Sequence, residues 1–226
     1  MAALKLKENH IKSAVYAVTL AFVCLAVLTF VPVDIPHKIF FAVSLLFVAS
    51  LWLTPLEITA ALAFSALGDL AGSCGVLLAQ MGLFAVAHIL YIVYFIRRFI
   101  RKGTKMTAKM KGFVMMLGIC ICSMLILIFM KVVPAAPEGL VRIGTGIYAI
   151  IICIMLMTAL MQRSSLYALG ALLFVISDFA LAWNMFIEPI PHASLVIMST
   201  YYAAQWLLFV RATPYRIAHP VHLMRF

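Results

Sequence analysis

The sequence predicts an all-α polytopic integral membrane protein with eight transmembrane helices, and three observations support this fold class. The chain of 226 residues is 66% hydrophobic and only 11% charged, which is far more apolar than a soluble domain. Apolar runs long enough to cross a bilayer recur along its whole length. Lysine and arginine residues collect in alternate loops, as is typical of membrane proteins. No long polar stretch is available for a second domain, so residues 1–226 are interpreted as a single transmembrane domain.

The predicted spans follow the apolar runs, and most of them end at or near proline or glycine residues, where a helix can stop. The second and third spans nearly touch, so we expect a tight antiparallel hairpin around Thr54 and Pro55. The segment Gly72–Gly75 marks the following turn. The eight spans are residues 13–31, 37–54, 55–73, 75–96, 112–132, 140–161, 165–187 and 192–211.

The basic residues predict the orientation of these spans. Fourteen of the 17 Lys and Arg residues precede the first span, follow the last one, or lie between spans four and five or spans six and seven. The positive-inside rule places these segments in the cytoplasm, so both termini are expected there. The predicted cytoplasmic segments include the N-terminus 1–12, the basic loop 97–111 and the tail 212–226. In a bacterial cell the membrane would be the inner membrane.

The charge pattern and the histidines argue against two other classes of function. The loop 97–111 holds seven Lys and Arg residues but only one aromatic residue, Phe99, so it is interpreted as an anchor to membrane lipids and not as a nucleic-acid site. His88 is the only histidine predicted at mid-membrane, so no metal site is expected. No phosphate-binding loop or nucleophile elbow is present, and no cofactor is predicted.

Two aspartates stand inside apolar spans, where a carboxyl group is costly and usually functional. Asp69 lies in the third span and Asp178 in the seventh, and both spans run outward from the cytoplasm. At 1.5 Å per residue, both acids lie about 20 Å along their helices, in the outer half of the bilayer. Gly68-Asp69-Leu70-Ala71 also resembles Ser177-Asp178-Phe179-Ala180. This similarity suggests a repeat of two four-helix halves with Asp69 and Asp178 in equivalent places.

Two carboxyls in one dry site would divide into a protonated acid and a carboxylate, which is the arrangement of acid–base hydrolases. The alternative is that each aspartate only forms a structural hydrogen bond with a neighbouring helix. We favour a catalytic pair, because polar groups in the following spans are expected at the same depth. We expect Gly68 and Ser177 to let the helices approach closely. The candidate substrate-binding residues are Lys38, His88, Tyr91, Ser177, Tyr201 and Gln205.

The ordered set of Lys38, Gly68-Asp69, Ala87-His88 with Tyr91, Gly170 with Phe174, Ser177-Asp178, and Tyr201 with Gln205 resembles the lysoplasmalogenase (YhhN-like) family of membrane proteins. The resemblance covers essentially the whole chain. It departs from the family pattern at Ile39, where proline often follows the lysine.

The resemblance implies hydrolysis of the vinyl ether bond of a lysoplasmalogen, which releases a fatty aldehyde and a glycerophospho-alcohol. One aspartate would protonate the enol ether and the other would stabilise the resulting cation. The implied partner is a lysophospholipid, and Lys38 would either meet its phosphate or extend to the membrane interface. The sequence leaves a second function open, which is a proton-coupled transporter or channel with Asp69 and Asp178 as a proton relay. The oligomeric state is not indicated.

Overall fold

A computed structural model describes residues 2–103 and 108–218, and within these ranges all regular structure is helical, as predicted. Residues 104–107 of the predicted basic loop and residues 219–226 of the predicted tail lie outside the described residues. The helices are α1 (Ala2–Leu28), α2 (Lys38–Leu53), α3 (Leu56–Ser73), α4 (Leu77–Arg101), α5 (Ala108–Leu127), α6 (Val133–Ala135), α7 (Leu140–Leu160), α8 (Ser165–Phe186) and α9 (Ala193–Ala218). A π-helical turn, Ile128–Val132, joins α5 to α6.

Each predicted run coincides with one long helix, but α1 begins at Ala2, within the predicted N-terminal segment 1–12, and α9 continues to Ala218, into the predicted tail. Helices α2 and α3 form the expected hairpin at Thr54 and Pro55, where the Thr54 and Thr59 hydroxyls lie 3.1 Å apart. Gly75 ends the next turn with φ of 75°, a backbone conformation that glycine adopts without strain. Helix α4 continues through Arg101, into the segment that the sequence places in the basic loop. Cations in the last turn are favourable there because they face the negative end of the helix dipole.

Six helices in the described part of the chain are long and apolar enough to cross a membrane. They include α1, α4 and α7 to α9, and the sixth candidate span runs from Lys111 to Ala135 across α5, the π-helical turn and α6. Helix α2 is apolar but has only 16 residues, a length of about 24 Å, which is less than the hydrocarbon thickness. Helix α3 has 18 residues and carries Glu57 and Asp69. The total of eight spans therefore stays a prediction.

The closest packing occurs between α3 and α4 and between α8 and α9. Helix α4 also packs against α7, and α9 also contacts α1, α2 and α3. Large apolar side chains on the outside of the bundle are exposed, including Trp52 at 68% and Leu140 at 71%. Exposed apolar surface of this extent is typical of a surface that faces lipid.

Three contacts bring the basic residues to one end of the bundle. Arg97 of α4 donates a hydrogen bond of 2.7 Å to Glu57 of α3, and Arg211 Nε of α9 donates one of 3.0 Å to Ser164 before α8. Lys102 after α4 donates to the Gln162 carbonyl after α7 at 3.4 Å. We call this the basic end, which is defined by Arg97, Arg98, Lys102, Arg163 and Arg211. The turns Gly72–Gly75 and 187–192 lie at the opposite end.

Gly170 provides a test of the α8–α9 packing. A Cβ atom at this position would lie 3.2 Å from atoms of Leu207 and Leu208, whereas a Cβ at Gly82 of α4 meets nothing within 4 Å. Gly170→Val should lower the free energy of unfolding by about 1–3 kcal/mol because it overpacks the interface. Thermal unfolding in detergent measures this change. Gly82→Val is the matched control, and equal losses in the two variants would contradict the packing explanation.

Candidate functional site

The first polar cluster surrounds the carboxyl group of Asp178 on α8. Its Oδ2 accepts a hydrogen bond from the Tyr148 hydroxyl of α7 and lies 3.3 Å from His88 Nε2 of α4. The same His88 nitrogen is 2.9 Å from the Tyr148 hydroxyl, so side chains from three helices meet at one carboxyl oxygen. The His88 side chain is fully buried, whereas 16% of the Asp178 side chain is exposed. The second oxygen of Asp178, Oδ1, makes no hydrogen bond in the described part of the chain.

Asp178 and Tyr148 lie in the wall of an otherwise mostly apolar cavity. Its volume of about 60 Å³ gives room for a few water molecules or for the reacting group of a larger substrate. The cavity is lined by the N-terminal parts of α4 and α7 and the C-terminal part of α8, which places it toward the end opposite the basic end. Its other walls include Gln80, Phe84 and Leu181.

The second cluster surrounds Asp69 on α3. Asp69 Oδ2 accepts a hydrogen bond of 2.9 Å from the Tyr201 hydroxyl of α9. Gln205, one turn further along α9, donates to the Tyr201 hydroxyl at 3.3 Å and accepts from the Tyr91 hydroxyl of α4 at 2.9 Å. All four side chains are buried. This chain of hydrogen bonds satisfies polar groups that would otherwise be costly in the interior.

Aromatic rings connect the two clusters. The Phe174 ring lies 4.6 Å from the His88 ring and 5.5 Å from the Tyr201 ring, so it contacts one member of each cluster. Phe84 packs edge-on against Phe174 and Tyr201 and also lines the cavity. No hydrogen bond joins the carboxyls of Asp69 and Asp178 among the described residues. The sequence predicts that the polar groups lie in one layer of the membrane. In the structure they form two clusters, and aromatic rings contact both clusters.

The two acids bond across the halves of the chain in a reciprocal way. Asp69 lies on the third long helix of the first half and binds Tyr201 on the last helix of the second half. Asp178 lies on the third long helix of the second half and binds His88 on the fourth helix of the first half. The repeat of two four-helix halves stays a prediction, because Asp178 also bonds Tyr148 of its own half.

The small residue before each acid packs against the next helix of its own half. A Cβ at Gly68 would lie 2.9 Å from the Phe84 ring, so only glycine leaves this ring its place against α3. The Ser177 hydroxyl donates a hydrogen bond of 3.0 Å to the Ile197 carbonyl of α9. The expectation that Gly68 and Ser177 allow close approach of the helices therefore agrees with the geometry. Ser177 is buried in a helix contact and is not part of the cavity wall.

Lys38 lies apart from both clusters. Its Nζ donates hydrogen bonds to the carbonyls of Val31 and Val33, at 2.9 and 3.4 Å, in the segment between α1 and α2. The adjacent His37 ring is 2.7 Å from the Ser73 hydroxyl at the end of α3. Lys38 is thus at the end opposite the basic end, about one turn beyond the level of Asp69.

Two members of the site, Tyr148 and Phe84, are not among the candidate residues that the sequence predicts. Tyr148 provides the hydroxyl donor to Asp178. The available signal was its depth, since Tyr148 lies two turns inside α7 from the same end as His88 in α4. Nothing in the sequence distinguishes Phe84 from the other 15 phenylalanines, because its role depends on which residues surround it.

Comparison with known proteins places this geometry in context. The curated relatives with similar sequence include Lysoplasmalogenase TMEM86B of Homo sapiens, 52% identical over 65 residues, which are 29% of this chain and 28% of that protein. Lysoplasmalogenase TMEM86B of Sus scrofa is 47% identical over 72 residues, 32% of this chain and 31% of that protein. Lysoplasmalogenase TMEM86A of Bos taurus is 49% identical over 47 residues, 21% of this chain and 20% of that protein.

These matches therefore span less than a third of the length of the curated relatives. No solved structure matches the chain. A family model, the YhhN family, matches residues 33–212, which include both acid clusters and the cavity. Because this match covers most of the sequence, the chain belongs to the YhhN family of proteins.

Proposed function

We propose that this protein is a membrane-embedded hydrolase that cleaves the vinyl ether bond of lysoplasmalogen-type lysophospholipids. The observation that best supports this is the carboxyl of Asp178, which lies in the wall of an apolar cavity while Tyr148 and His88 hold one of its oxygens. The apolar wall would hold the alkenyl chain through hydrophobic contacts, and the single acid would act on the vinyl ether group. The names of the relatives support the substrate class.

In the proposed reaction, the carboxyl group of Asp178 acts as general acid and delivers a proton to the β-carbon of the vinyl ether, and the π electrons of the double bond form the new C–H bond. The α-carbon and the ether oxygen then share the positive charge of an oxocarbenium ion. Water adds to the α-carbon and returns a proton to Asp178, giving a hemiacetal. Collapse of the hemiacetal breaks the bond between the α-carbon and the former ether oxygen while the hydroxyl proton passes to that oxygen, which releases the aldehyde and the glycerophospho-alcohol. General acid catalysis of this kind contributes about 10²- to 10⁴-fold to a rate.

The proposed role of Asp69 is to position the aromatic rings beside the cavity. It does not line the cavity, and it accepts a hydrogen bond from Tyr201, whose ring packs against Phe84 and Phe174. This hydrogen bond would hold the Phe84 ring in place in the cavity wall. Tyr201, Gln205, Tyr91 and Ser177 would then position the helices and the Asp69 carboxyl. Lys38 would meet the phosphate of the lipid at the membrane surface.

We also propose eight spans, with the basic end and both termini in the cytoplasm. The positive-inside rule supports this orientation. The cavity would then lie in the outer half of the membrane. A proton-coupled transporter is the alternative that the sequence leaves open. The names of the relatives favour hydrolysis over transport.

Replacement of Asp178 tests the general acid. In purified protein in detergent, Asp178→Asn should lower aldehyde release from lysoplasmalogen by about 10²- to 10⁴-fold, because the amide cannot donate the proton. Asp34→Asn, in the exposed segment before α2, is the matched control and should keep full activity. Full activity of Asp178→Asn would exclude this mechanism. Proton flux in liposomes without any lipid cleavage in detergent would favour the transporter.

Two variants of Asp69 test this positioning role. The amide of Asp69→Asn keeps the shape of the side chain and can still accept the hydrogen bond from Tyr201, whereas the side chain of Asp69→Leu cannot. We expect Asp69→Asn to keep most of the wild-type kcat and Asp69→Leu to lower it about tenfold or more, because displaced rings would misplace the substrate. Steady-state kinetics in detergent measure this difference. A loss in Asp69→Asn as large as the loss in Asp69→Leu would contradict the positioning role.

The orientation can be tested with Cys74, which is exposed in the turn after α3. A membrane-impermeant maleimide should label Cys74 in intact cells, and Cys74→Ser should remove this signal. In the Cys74→Ser background, Arg163→Cys at the basic end should be labelled only after the cells are permeabilised. The reverse pattern of labelling would invert the proposed orientation.

A further inference from the structure

Two arginines at the basic end face the interior of the bundle. The guanidinium carbons of Arg98 and Arg211 each lie 5.4 Å from the centroid of the Tyr167 ring. Tyr167 is fully buried, and its hydroxyl is 2.6 Å from the hydroxyl of Tyr94. Both guanidinium groups therefore lie within cation–π range of the same buried ring.

Two further cations lie beside this pair. Burial, together with the charges of Arg98, Arg211 and Arg163, lowers the pKa of Lys102 from 10.5. Arg163 occupies the turn between α7 and α8 with φ of 53°, a conformation that few residues other than glycine adopt. Glu57, a carboxylate at this end, pairs with Arg97. In the described part of the chain, no ion pair joins Arg98, Lys102, Arg163 or Arg211 to a carboxylate.

The hydrogen bonds at the basic end leave a donor unused. Arg98 Nε is buried and has no hydrogen-bond partner among the described residues. A buried donor without a partner is costly, and so is the mutual repulsion of cations at low dielectric. The positive-inside rule explains exposed charges such as Arg97, but it gives no reason for Arg98 and Arg211 to turn onto a buried ring. An anion that accepts a hydrogen bond from Arg98 Nε would relieve both costs.

We propose that Arg98 and Arg211, with Arg163 and Lys102, form a binding site for a phosphate group. Guanidinium groups bind phosphate through paired hydrogen bonds, and a lysine adds a point charge. The phosphate belongs either to the headgroup of an anionic phospholipid in the adjacent leaflet or to a free phosphate compound. Both sources present the same chemistry to the site.

This site is distinct from the cavity beside Asp178. Tyr167 and Asp178 are 11 residues apart on α8, a separation of about 16 Å along the helix. The short glycerol unit that links the ether oxygen to the phosphate of a lysophospholipid cannot span this distance. A substrate with its ether group at Asp178 therefore does not place its own phosphate at the basic end, and the phosphate site does not depend on the proposed hydrolase activity.

The test is thermal unfolding of the full chain, purified in neutral detergent without phosphate. The probes are short-chain phosphatidate, short-chain phosphatidylcholine and inorganic phosphate. We expect phosphatidate at a hundredfold excess over its Kd to raise the unfolding midpoint by roughly 5 °C. Phosphatidylcholine should have a smaller effect because its choline cation faces four cations of the protein. An equal rise with inorganic phosphate identifies the free compound as the source, and a rise with phosphatidate alone identifies the lipid.

Variants distinguish this site from a general effect of charge. The double variant Arg98→Gln/Arg211→Gln should lose the rise, whereas Arg97→Gln, which removes an adjacent arginine that pairs with Glu57, should keep it. If the double variant does not fold, Lys102→Gln/Arg163→Gln provides the same comparison at exposed positions. The absence of any rise with wild-type protein would overturn the proposal. It would also be overturned if Arg97→Gln lost as much of the rise as the variants at the site.

Discussion

A carboxyl group inside an apolar helix bundle needs hydrogen-bond donors, and this requirement shapes the centre of the protein. Both acids contact the other half of the chain, and Asp178 also accepts a hydrogen bond from Tyr148 of its own half. Asp69 binds Tyr201 of α9, and Asp178 lies in hydrogen-bond reach of His88 of α4. Because the hydrophobic effect gives little attraction between helices within lipid, such bonds and close packing hold helices together there. The same contacts that satisfy the acids therefore also join the two halves.

Close packing at the small residues makes these bonds possible. Because Gly68 has no side chain, the Phe84 ring can pack directly against α3. Gly170 in the same way lets Leu207 and Leu208 pack against α8. Phe84 and Phe174 then contact the side chains around both acids. This packing gives the acids different surroundings. Asp178 is partly exposed in a cavity wall, whereas Asp69 is 5% exposed and lies behind aromatic rings. Two similar local sequences thus place the same carboxyl group in different surroundings.

Charge is also distributed unequally along the bundle. The cavity and Lys38 lie toward one end, and the cations around Tyr167, which form no ion pair with the described carboxylates, lie at the other. The proposed hydrolase would contact lipid in two ways, through the substrate that enters its cavity and through the lipids that surround the bundle. The separation along α8 would keep these two contacts independent, because the cavity is apolar with a single acid and the basic end is strongly cationic.

The sequence alone determined the helical class, the approximate helix bounds and the two acids, because each of these depends on local composition and on the cost of charge in hydrocarbon. It also identified His88, Tyr91, Tyr201 and Gln205 as polar groups near the depth of the acids. It did not reveal that the acids would occupy two clusters, that Tyr148 would bind Asp178, or that Arg98 and Arg211 would share one ring. Those outcomes depend on the rotation of each helix about its axis and on which faces meet. The bundle decides them because a rotation of one residue position, about 100°, moves a side chain from the interior to the lipid without changing the hydropathy of its span.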